Sequence, residues 1–368
     1  MNKLIIGNLV HRPLRSIISG FAVAIEVIMI LSIAAIMFGM LDASRNNQAG
    51  VGGDMMVHPG ASTALMATSA AAADVRVGDV LRKLPYVEVV SPVNIKLNTA
   101  GSVENIFGID YQSYNALRPF VFKAGGPFQH PYDIIIDDLQ AASGKGTHVG
   151  DIIKTLNHSF RVCGIVEHGK GARKFIPLAT MDAIDGNPGK ATLFYIRTQS
   201  PPKYEKDVKR EILSTPGLEN WSVQTTEELI SQLTPERMPG FNIALNVVIG
   251  IAVIIGFLVI FQSMYTAVME RTREIGILKS MGAGSFDIVS VVLRETGLLA
   301  IAGVIVGVVA TFLLRIFLRA RFPTLSFQVT TRWVISAVII ALVGALFGAL
   351  YPALKAARKD PIDALSYE

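Results

Sequence analysis

The chain has 368 residues, of which 51% are hydrophobic and 17% are charged, and its formal net charge is +5. Soluble domains carry about 25% charged residues, so this composition favours a membrane protein over a soluble one. The single cysteine, Cys163, excludes an intramolecular disulfide. Basic residues cluster beside the apolar stretches, where they are expected to orient membrane helices and to contact anionic lipid. This placement argues against nucleic acid as a partner.

Four apolar stretches are long enough to cross a membrane, because the hydrocarbon core requires about 20 helical residues. An amphipathic N-terminal helix (1–15) is predicted before the first transmembrane helix (16–41), which exceeds the apolar core of a signal peptide in length and is expected to be retained. A large outer domain (42–240) follows. The remaining predicted segments are the second helix (241–268), a cytoplasmic segment (269–287), the third helix (288–318), a short outer link (319–332), the fourth helix (333–354) and a cytoplasmic tail (355–368).

The orientation of these helices is predicted from the basic residues in their short flanks. The short link between the third and fourth helices, with the adjacent end of the third helix, carries four arginines: Arg315, Arg319, Arg321 and Arg332. The side that holds both termini carries more, namely Lys3, Arg12, Arg15, Arg271, Arg273, Lys279, Lys355, Arg358 and Lys359. We therefore expect both termini of this multi-pass membrane protein to be cytoplasmic.

The outer region mixes strand and helix patterns. Short β-branched runs, separated by Gly, Pro, Asn and Asp, predict strands at VEVVSPV, NIFGID, DIIID, FRVCGIV and LFYIRT. Helical periods occur in VGDVLRKL, YEKDVKREIL and TEELISQL. A small-residue stretch (60–73) is expected to form a surface loop or an Ala-rich helix. The predicted fold class is a membrane α-helical protein with four transmembrane helices and a large α+β extracytoplasmic domain inserted between helices 1 and 2.

The segment after the second transmembrane helix has the pattern of a short amphipathic helix. Charged residues and apolar residues alternate in ERTREIGILKSMGAGSFD, and Gly282 and Gly284 supply a stop. Ser285 is expected to cap the following helix, with Asp287 in its first turn. The alternative is that these charges only set topology and bind lipid.

Three sequences carry a resemblance to a known family. The segment ERTREIGILKSMGAGSFDIVSVVLRETG and the C-terminal YPALKAARKDPIDALSYE resemble signatures of the MacB/FtsX permease family, and VGDIIKTLNHSFRVCGIVEHG resembles a passage of the MacB-like extracytoplasmic core. The resemblance implies the permease subunit of an ABC transporter in the bacterial inner membrane, which acts by mechanotransmission in export or extraction of a substrate. It also implies ATPase-coupling residues in the cytoplasmic segment, namely Glu270, Arg271, Arg273, Glu274, Ile277, Leu278 and Met281.

The partners implied by the resemblance are a separate ABC ATPase, a second permease copy in a homodimer, a periplasmic adaptor protein and membrane lipid. An alternative is an FtsX-like regulatory protein that activates a cell-wall hydrolase or a sensor. The outer insertion (42–240) favours the MacB arrangement, because FtsX proteins of division carry a smaller one. In the cytoplasmic helix, Ile277 and Leu278 are expected to contribute more to ATPase docking than Lys279.

Within the predicted transmembrane helices, two features stand out. Two GxxxG pairs are expected to let the third and fourth helices pack closely: Gly303 with Gly307, and Gly344 with Gly348. Glu26 lies near the middle of the first transmembrane helix and is expected to face protein, hydrogen-bonded to Arg294, Gln262 or Ser263. No second intramembrane acid is predicted to support a substrate or proton role for it.

The sequence has no segment of the form GxxxxGK[ST], which would cradle the phosphates of ATP. ATP and Mg²⁺ are therefore expected to be bound by the partner ATPase, and this chain is not expected to be an enzyme. Histidines are dispersed over the outer region without the spacing of a zinc site, and no GxSxG segment occurs. No catalytic residue, metal site or cofactor is predicted.

Overall fold

A computed structural model describes residues 13–60, 72–98, 104–143, 146–238 and 240–358. It divides into two compact units. The helical unit comprises Met1–Gly39, Pro239–Ala320 and Leu325–Glu368, and the sheet unit comprises Met40–Met238 and Arg321–Thr324. Most of the predicted N-terminal helix (1–15), most of the small-residue stretch (60–73) and most of the C-terminal tail (355–368) lie outside the described residues.

The secondary structure elements are numbered in chain order. The helices are α1 (Pro13–Val51), α2 (Val77–Arg82), α3 (Tyr111–Leu117), α4 (Asp138–Ala141), α5 (Leu178–Asp185), α6 (Glu205–Ser214), α7 (Thr226–Gln232), α8 (Phe241–Glu270), α9 (Thr272–Ser280), α10 (Ser285–Arg321) and α11 (Thr331–Arg358). The strands are β1 (Met55–Pro59), β2 (Ala73–Asp74), β3 (Val87–Asn98), β4 (Glu104–Ile109), β5 (Phe122–Gly125), β6 (Asp133–Asp137), β7 (Ile152–Thr155), β8 (His158–Val166), β9 (Lys174–Pro177), β10 (Lys190–Ala191), β11 (Leu193–Thr198) and β12 (Trp221–Thr225).

Helices α1, α8, α10 and α11 are long and apolar enough to cross a membrane. An apolar run of this length forms a helix in lipid because a helix pairs its own backbone N–H and C=O groups. Helix α1 continues to Val51, ten residues beyond the predicted end of the first transmembrane segment at residue 41. The position of the membrane boundary along α1 stays a prediction.

The sheet unit is built on one mixed sheet. The strand order is β12-β1-β11-β3-β4-β9-β6-β8-β5, and β7 pairs with β8, while β10 and β2 form a separate pair. Most neighbours are antiparallel, whereas β4 pairs with β9 and β6 pairs with β8 in parallel. The five predicted β-branched runs form β3, β4, β6, β8 and β11, and the three helical periods form α2, α6 and α7. The predicted α+β class is therefore confirmed for this unit.

Both faces of this sheet are covered by apolar side chains. In β11, Phe194 and Ile196 lie in one core cluster, and Tyr195, between them, lies in another. Successive residues of a strand point to opposite faces, so these clusters occupy opposite sides of the sheet. Coverage on both faces explains why LFYI is a continuous apolar run and does not alternate with polar residues.

The core of the helical unit is rich in small residues. Four alanines of α11 recur at four-residue spacing and are at most 1% exposed: Ala337, Ala341, Ala345 and Ala349. They belong to one cluster with larger side chains of α1, α8 and α10, such as Val27, Ile260 and Leu299. Residues four apart lie on one face of a helix, so this row of alanines forms a narrow surface against which other helices pack.

Candidate functional site: the segment between α8 and α10

The segment between α8 and α10 forms the predicted short helix. The hydroxyl of Thr272 donates hydrogen bonds to the carbonyl oxygens of Val268 and Met269, at 3.2 and 2.8 Å, across the break between α8 and α9. Helix α9 ends in a glycine turn: Gly282 has a φ of +97°, and the N–H of Ala283 donates to the carbonyl of Leu278 at 3.0 Å. The positive φ is why a glycine is needed at this position.

The start of α10 differs from the prediction. Ser285 was expected to cap this helix, but its hydroxyl donates instead to the carbonyl oxygen of Ala357 in α11, at 3.2 Å. The carboxylate of Asp287, in the first turn, accepts a hydrogen bond from the N–H of Gly284 at 3.0 Å. Asp287 therefore binds the backbone N–H of the residue before the helix, whereas a capping serine would accept from a backbone N–H inside the first turn.

One face of α9 is buried against the neighbouring helices. Ile275 packs with Val268, Ile288, Ala356 and Ala357 from α8, α10 and α11, and Leu278 packs against the same cluster from a half-buried position. The ammonium of Lys279 donates to the carbonyl oxygen of Ala357 at 2.9 Å. These contacts attach α9 to the ends of three long helices.

Arg271 and Glu295 form a buried ion pair. The guanidinium of Arg271 lies 3.1 Å from the carboxylate of Glu295 in α10, and their side chains are 12% and 5% exposed. Arg271, a predicted coupling residue, therefore points into the helical unit. The expectation that no second acid lies within the predicted transmembrane helices was wrong, because Glu295 falls inside the third (288–318). Its presence in VVLRETG was visible in the sequence, but its partner was not.

The opposite face of α9, the turn after it and the first turn of α10 expose large apolar side chains. The exposed fractions are 43% for Ile277, 72% for Met281 and 83% for Phe286. Arg273 and Glu274 are exposed beside them, and Glu270 is exposed at the end of α8. Of the predicted coupling residues, Ile277 and Met281 thus lie on the exposed face, whereas Leu278 is directed towards the helices. Phe286 was not predicted, because its exposure depends on how α10 begins.

Glu26 lies in a buried position between glycines of two other helices. The residue is 3% exposed. A Cβ atom built on Gly256 of α8 would lie 2.0 Å from its Oε2, and one on Gly344 of α11 would lie 3.7 Å from its Oε1. Oε1 has no hydrogen-bond partner among the residues that the structure describes. The expected bonds to Arg294, Gln262 or Ser263 are therefore not made, and the hydroxyl of Ser263 pairs with that of Ser19.

The GxxxG glycines of α10 and α11 contact different helices. A Cβ atom on Gly303 would lie 2.5 Å from the carbonyl oxygen of Gly20, and one on Gly307 would lie 2.8 Å from that of Ala24, so both glycines face α1. A Cβ atom on Gly348 would lie 3.0 Å from the carbonyl oxygen of Phe257 in α8. The third and fourth predicted transmembrane helices therefore approach α1 and α8 closely through these glycines.

Among the described residues of the sheet unit, two lysines are buried, Lys170 and Lys174. Lys170 is 6% exposed, its ammonium donates to the carbonyl oxygen of Arg118, and it lies 4.9 and 4.4 Å from the ring centroids of Tyr114 and Phe120. Burial, together with the nearby charge of Arg118, lowers the pKa of Lys170 to about 7. Among the described residues, no group of three or more His, Cys, Asp and Glu side chains could hold a metal ion.

Several curated relatives match the chain. It is 28% identical over 199 residues to an uncharacterized ABC transporter permease of Methanocaldococcus jannaschii, a match that covers 52% of this chain and 50% of the relative. It is 23% identical over 317 residues to the macrolide export ATP-binding/permease protein MacB of a Shewanella species, covering 80% and 49% of the two chains. It is 24% identical over 318 residues to MacB of Escherichia coli K12, and this match covers 78% of this chain and 48% of the relative. The chain thus spans about half the length of these relatives.

Two solved structures are similar to part of the chain. The periplasmic region of MacB from Actinobacillus actinomycetemcomitans has a TM-score of 0.39 and 16% identity, and the match covers 52% of this chain and 97% of that one. The extracellular domain of the noncanonic ABC-type transporter YknZ from Gram-positive bacteria has a TM-score of 0.36 and 16% identity, with coverages of 46% and 98%.

Two family models cover most of the sequence. The MacB-like periplasmic core domain matches residues 16–212, which is more than half of the chain. The FtsX-like permease C-terminal domain matches residues 246–361, which include α9 and its exposed apolar face. These two matches, in the same order as the sheet unit and the three later long helices, show that the chain belongs to the MacB/FtsX family of ABC transporter permeases.

Proposed function

We propose that this chain is a permease subunit that couples ATP hydrolysis by a separate ATPase to conformational change of its outer domain. The observation that carries the proposal is the two-sided character of α9. One face is packed on α8, α10 and α11, and the other exposes Ile277. Two more large apolar side chains, Met281 and Phe286, are exposed in the turn after α9 and at the start of α10. We name Ile277, Met281 and Phe286 the docking surface and propose that it binds the ATPase.

The apolar character of the docking surface supports a protein partner. Large apolar side chains that are grouped and exposed, with charged residues at the edge, are typical of sites where a few buried anchors supply most of the binding free energy. Arg273 and Glu274 supply the charged edge here. Lipid is the other apolar partner available to this segment, and the experiment below separates the two.

The inner face of α9 supports transmission of motion. Its contacts include the buried cluster around Ile275, the hydrogen bond from Lys279 to Ala357 and the ion pair of Arg271 with Glu295. Close-packed interiors have low compressibility, so a displacement of α9 is expected to move the ends of the three long helices with it. In this proposal, ATP-driven motion of the ATPase thereby reaches the outer domain.

The assignment of the other parts follows from the family and from the charge distribution. The MacB relatives are named as ATP-binding/permease proteins for macrolide export, and this chain matches about half of their length. We propose that ATP and Mg²⁺ bind to a separate ATPase polypeptide, that both termini and α9 are cytoplasmic, and that residues 42–240 are extracytoplasmic. Export or extraction of a substrate by a homodimer, with a periplasmic adaptor, is the form of activity that this family membership favours.

The test compares variants of the tagged full-length permease purified from native cells with the ATPase that accompanies the wild type. The triple variant Ile277→Ala, Met281→Ala and Phe286→Ala should insert normally but recover at least tenfold less ATPase, because interface anchors commonly contribute more than 1 kcal/mol each. Arg273→Ala is the control for an exposed charge on the same helix and should change recovery by less than about fivefold.

A second control uses the inward side chain. Leu278→Ala should lower the thermal stability of the permease, because the residue packs on the buried cluster, while ATPase recovery per folded permease stays near that of the wild type. Recovery of ATPase at the wild-type level by the triple variant would show that the exposed apolar side chains contact lipid and that the docking proposal is wrong.

A further inference from the structure

A cleft opens on the outside of the helical unit between α8 and α11. It has a volume of about 390 Å³ and is lined by Phe261, Gln262, Tyr265, Tyr351 and Lys355. Tyr265 lies five residues before the end of α8 and Lys355 three residues before Arg358, the last described residue of α11. The cleft is thus within about two helical turns of the ends of both helices, where a membrane helix meets the headgroup region.

Lys355 is the charged group of this cleft. Its ammonium donates to the hydroxyl of Tyr265 at 2.9 Å and lies 4.6 Å from the centroid of that ring. Among the residues that the structure describes, Lys355 forms no ion pair with a carboxylate. A lysine ammonium has three donors, so this one retains donors for an anionic group in the cleft.

Aromatic rings continue the cleft towards the middle of the two helices. Phe257, Phe261 and Tyr265 follow one another at successive turns of α8, with ring centroids 6.2 and 6.1 Å apart. Tyr351 of α11 lies 5.7 Å from Phe261, and its side chain is 56% exposed. The surface therefore changes, along one direction, from an ammonium and two phenol hydroxyls to phenyl rings.

We propose that this cleft binds one anionic phospholipid. The ammonium of Lys355 and the hydroxyl of Tyr351 would bind the phosphate, and an acyl chain would lie against Phe261 and Phe257. Basic pockets between transmembrane helices bind the headgroups of anionic lipids, and tyrosine is enriched where a polar and an apolar layer meet. The proposal does not depend on ATPase docking, and if the proposed orientation is right, the lipid belongs to the inner leaflet.

The order from charge to phenol to phenyl ring favours a lipid over a free anion. Phosphate alone would be recognised by Lys355 and the hydroxyl of Tyr351, but it would leave Phe257 and Phe261 without a role. Two apolar side chains of α11 beside the cleft also favour a lipid, because Phe347 and Leu354 are 62% and 41% exposed. They would contact acyl chains on either side of the bound molecule.

The test measures lipid binding to the full-length protein by native mass spectrometry, with phosphatidylglycerol and phosphatidylcholine as probes. The wild type should retain phosphatidylglycerol in preference to phosphatidylcholine. Lys355→Gln should lower the affinity for phosphatidylglycerol about fivefold, the change expected for one basic contact to an anionic headgroup, and leave phosphatidylcholine unchanged. Arg358→Gln removes the same charge one turn later, outside the cleft, and is the matched control.

Three further results would decide against the proposal or sharpen its support. Equal losses in Lys355→Gln and Arg358→Gln would show a diffuse charge effect and overturn it. Competition by millimolar inorganic phosphate would show that the cleft recognises a free anion and would overturn the lipid assignment, whereas its failure to compete supports it. A disulfide between copies through Gln262→Cys, in a Cys163→Ser background, would show that a second copy covers the cleft and would also overturn it.

Discussion

The close approach of α10 to α1 makes a sharp prediction about two glycines. A Cβ atom added to Gly303 would lie 2.5 Å from the carbonyl oxygen of Gly20, and one added to Gly307 would lie 2.8 Å from that of Ala24. In an ordinary van der Waals contact this distance is at least 3.4 Å. The obstructing atoms are backbone, so they cannot move aside by a change of rotamer. In the double variant Gly303→Ala and Gly307→Ala, α1 would have to retreat by roughly 0.9 Å along two turns.

The magnitude follows from two opposing effects. Overpacking costs about 1–3 kcal/mol per site, and alanine in place of glycine regains about 1 kcal/mol of helix propensity at each. The double variant should therefore lose about 2 kcal/mol of stability. Gly297→Ala is the control on the same helix, because no atom lies within 4 Å of the added Cβ, so stability should be unchanged or slightly raised.

The assay is thermal unfolding of the purified full-length protein in detergent, followed by size-exclusion chromatography after heating. The double variant should melt several degrees below both the wild type and Gly297→Ala. A double variant that melts together with the wild type would refute the inferred contact between α10 and α1 at these glycines.

Two further predictions concern buried ionisable side chains. The folded-state pKa of Lys170 is lowered to about 7, so between about pH 7 and pH 10 the unfolded chain binds a proton that the folded protein does not, and the free energy of unfolding should rise with pH over this range. Lys170→Met, tested by chemical denaturation at pH 7 and pH 9, should abolish most of that rise; an unchanged pH dependence would contradict the placement. Gly256→Ala should destabilise the wild type by more than 1 kcal/mol, because its Cβ would overlap the carboxyl of Glu26, but should cost much less in a Glu26→Ala background. Equal costs in the two backgrounds, measured by thermal unfolding, would show that the two residues do not contact each other.

Much of the fold could be predicted because the decisive pattern is local. Runs of about 20 apolar residues admit only a helix in lipid, and short β-branched runs between turn residues, as in β6 and β11, form strands. The helix α9 could also be predicted, because charged residues, apolar residues and two glycines occur within one short segment. These features do not depend on which distant residue lies opposite them.

The arrangement of the site was less predictable, because it depends on contacts between elements. Ile277 and Leu278 are adjacent in the sequence and both are apolar. Only the packing of α9 on α11 determines that Ile277 is exposed and Leu278 is half-buried. Similarly, Arg271 and Glu295 are separated by 24 residues, and nothing in the spacing identifies them as partners. Polar partners were expected for Glu26, but its carboxyl group lies beside two glycines, which leave room for it.

The row of alanines on α11 has a consequence for motion. Alanine and glycine have no side-chain rotamers, so an interface made of Ala337, Ala341, Ala345, Ala349 and Gly348 loses no side-chain entropy when it forms. Sliding of α11 along its neighbours would likewise require no change of rotamer on the α11 side. Shear between packed helices proceeds by small displacements of this kind, and the small-residue surface of α11 therefore offers little steric resistance to them.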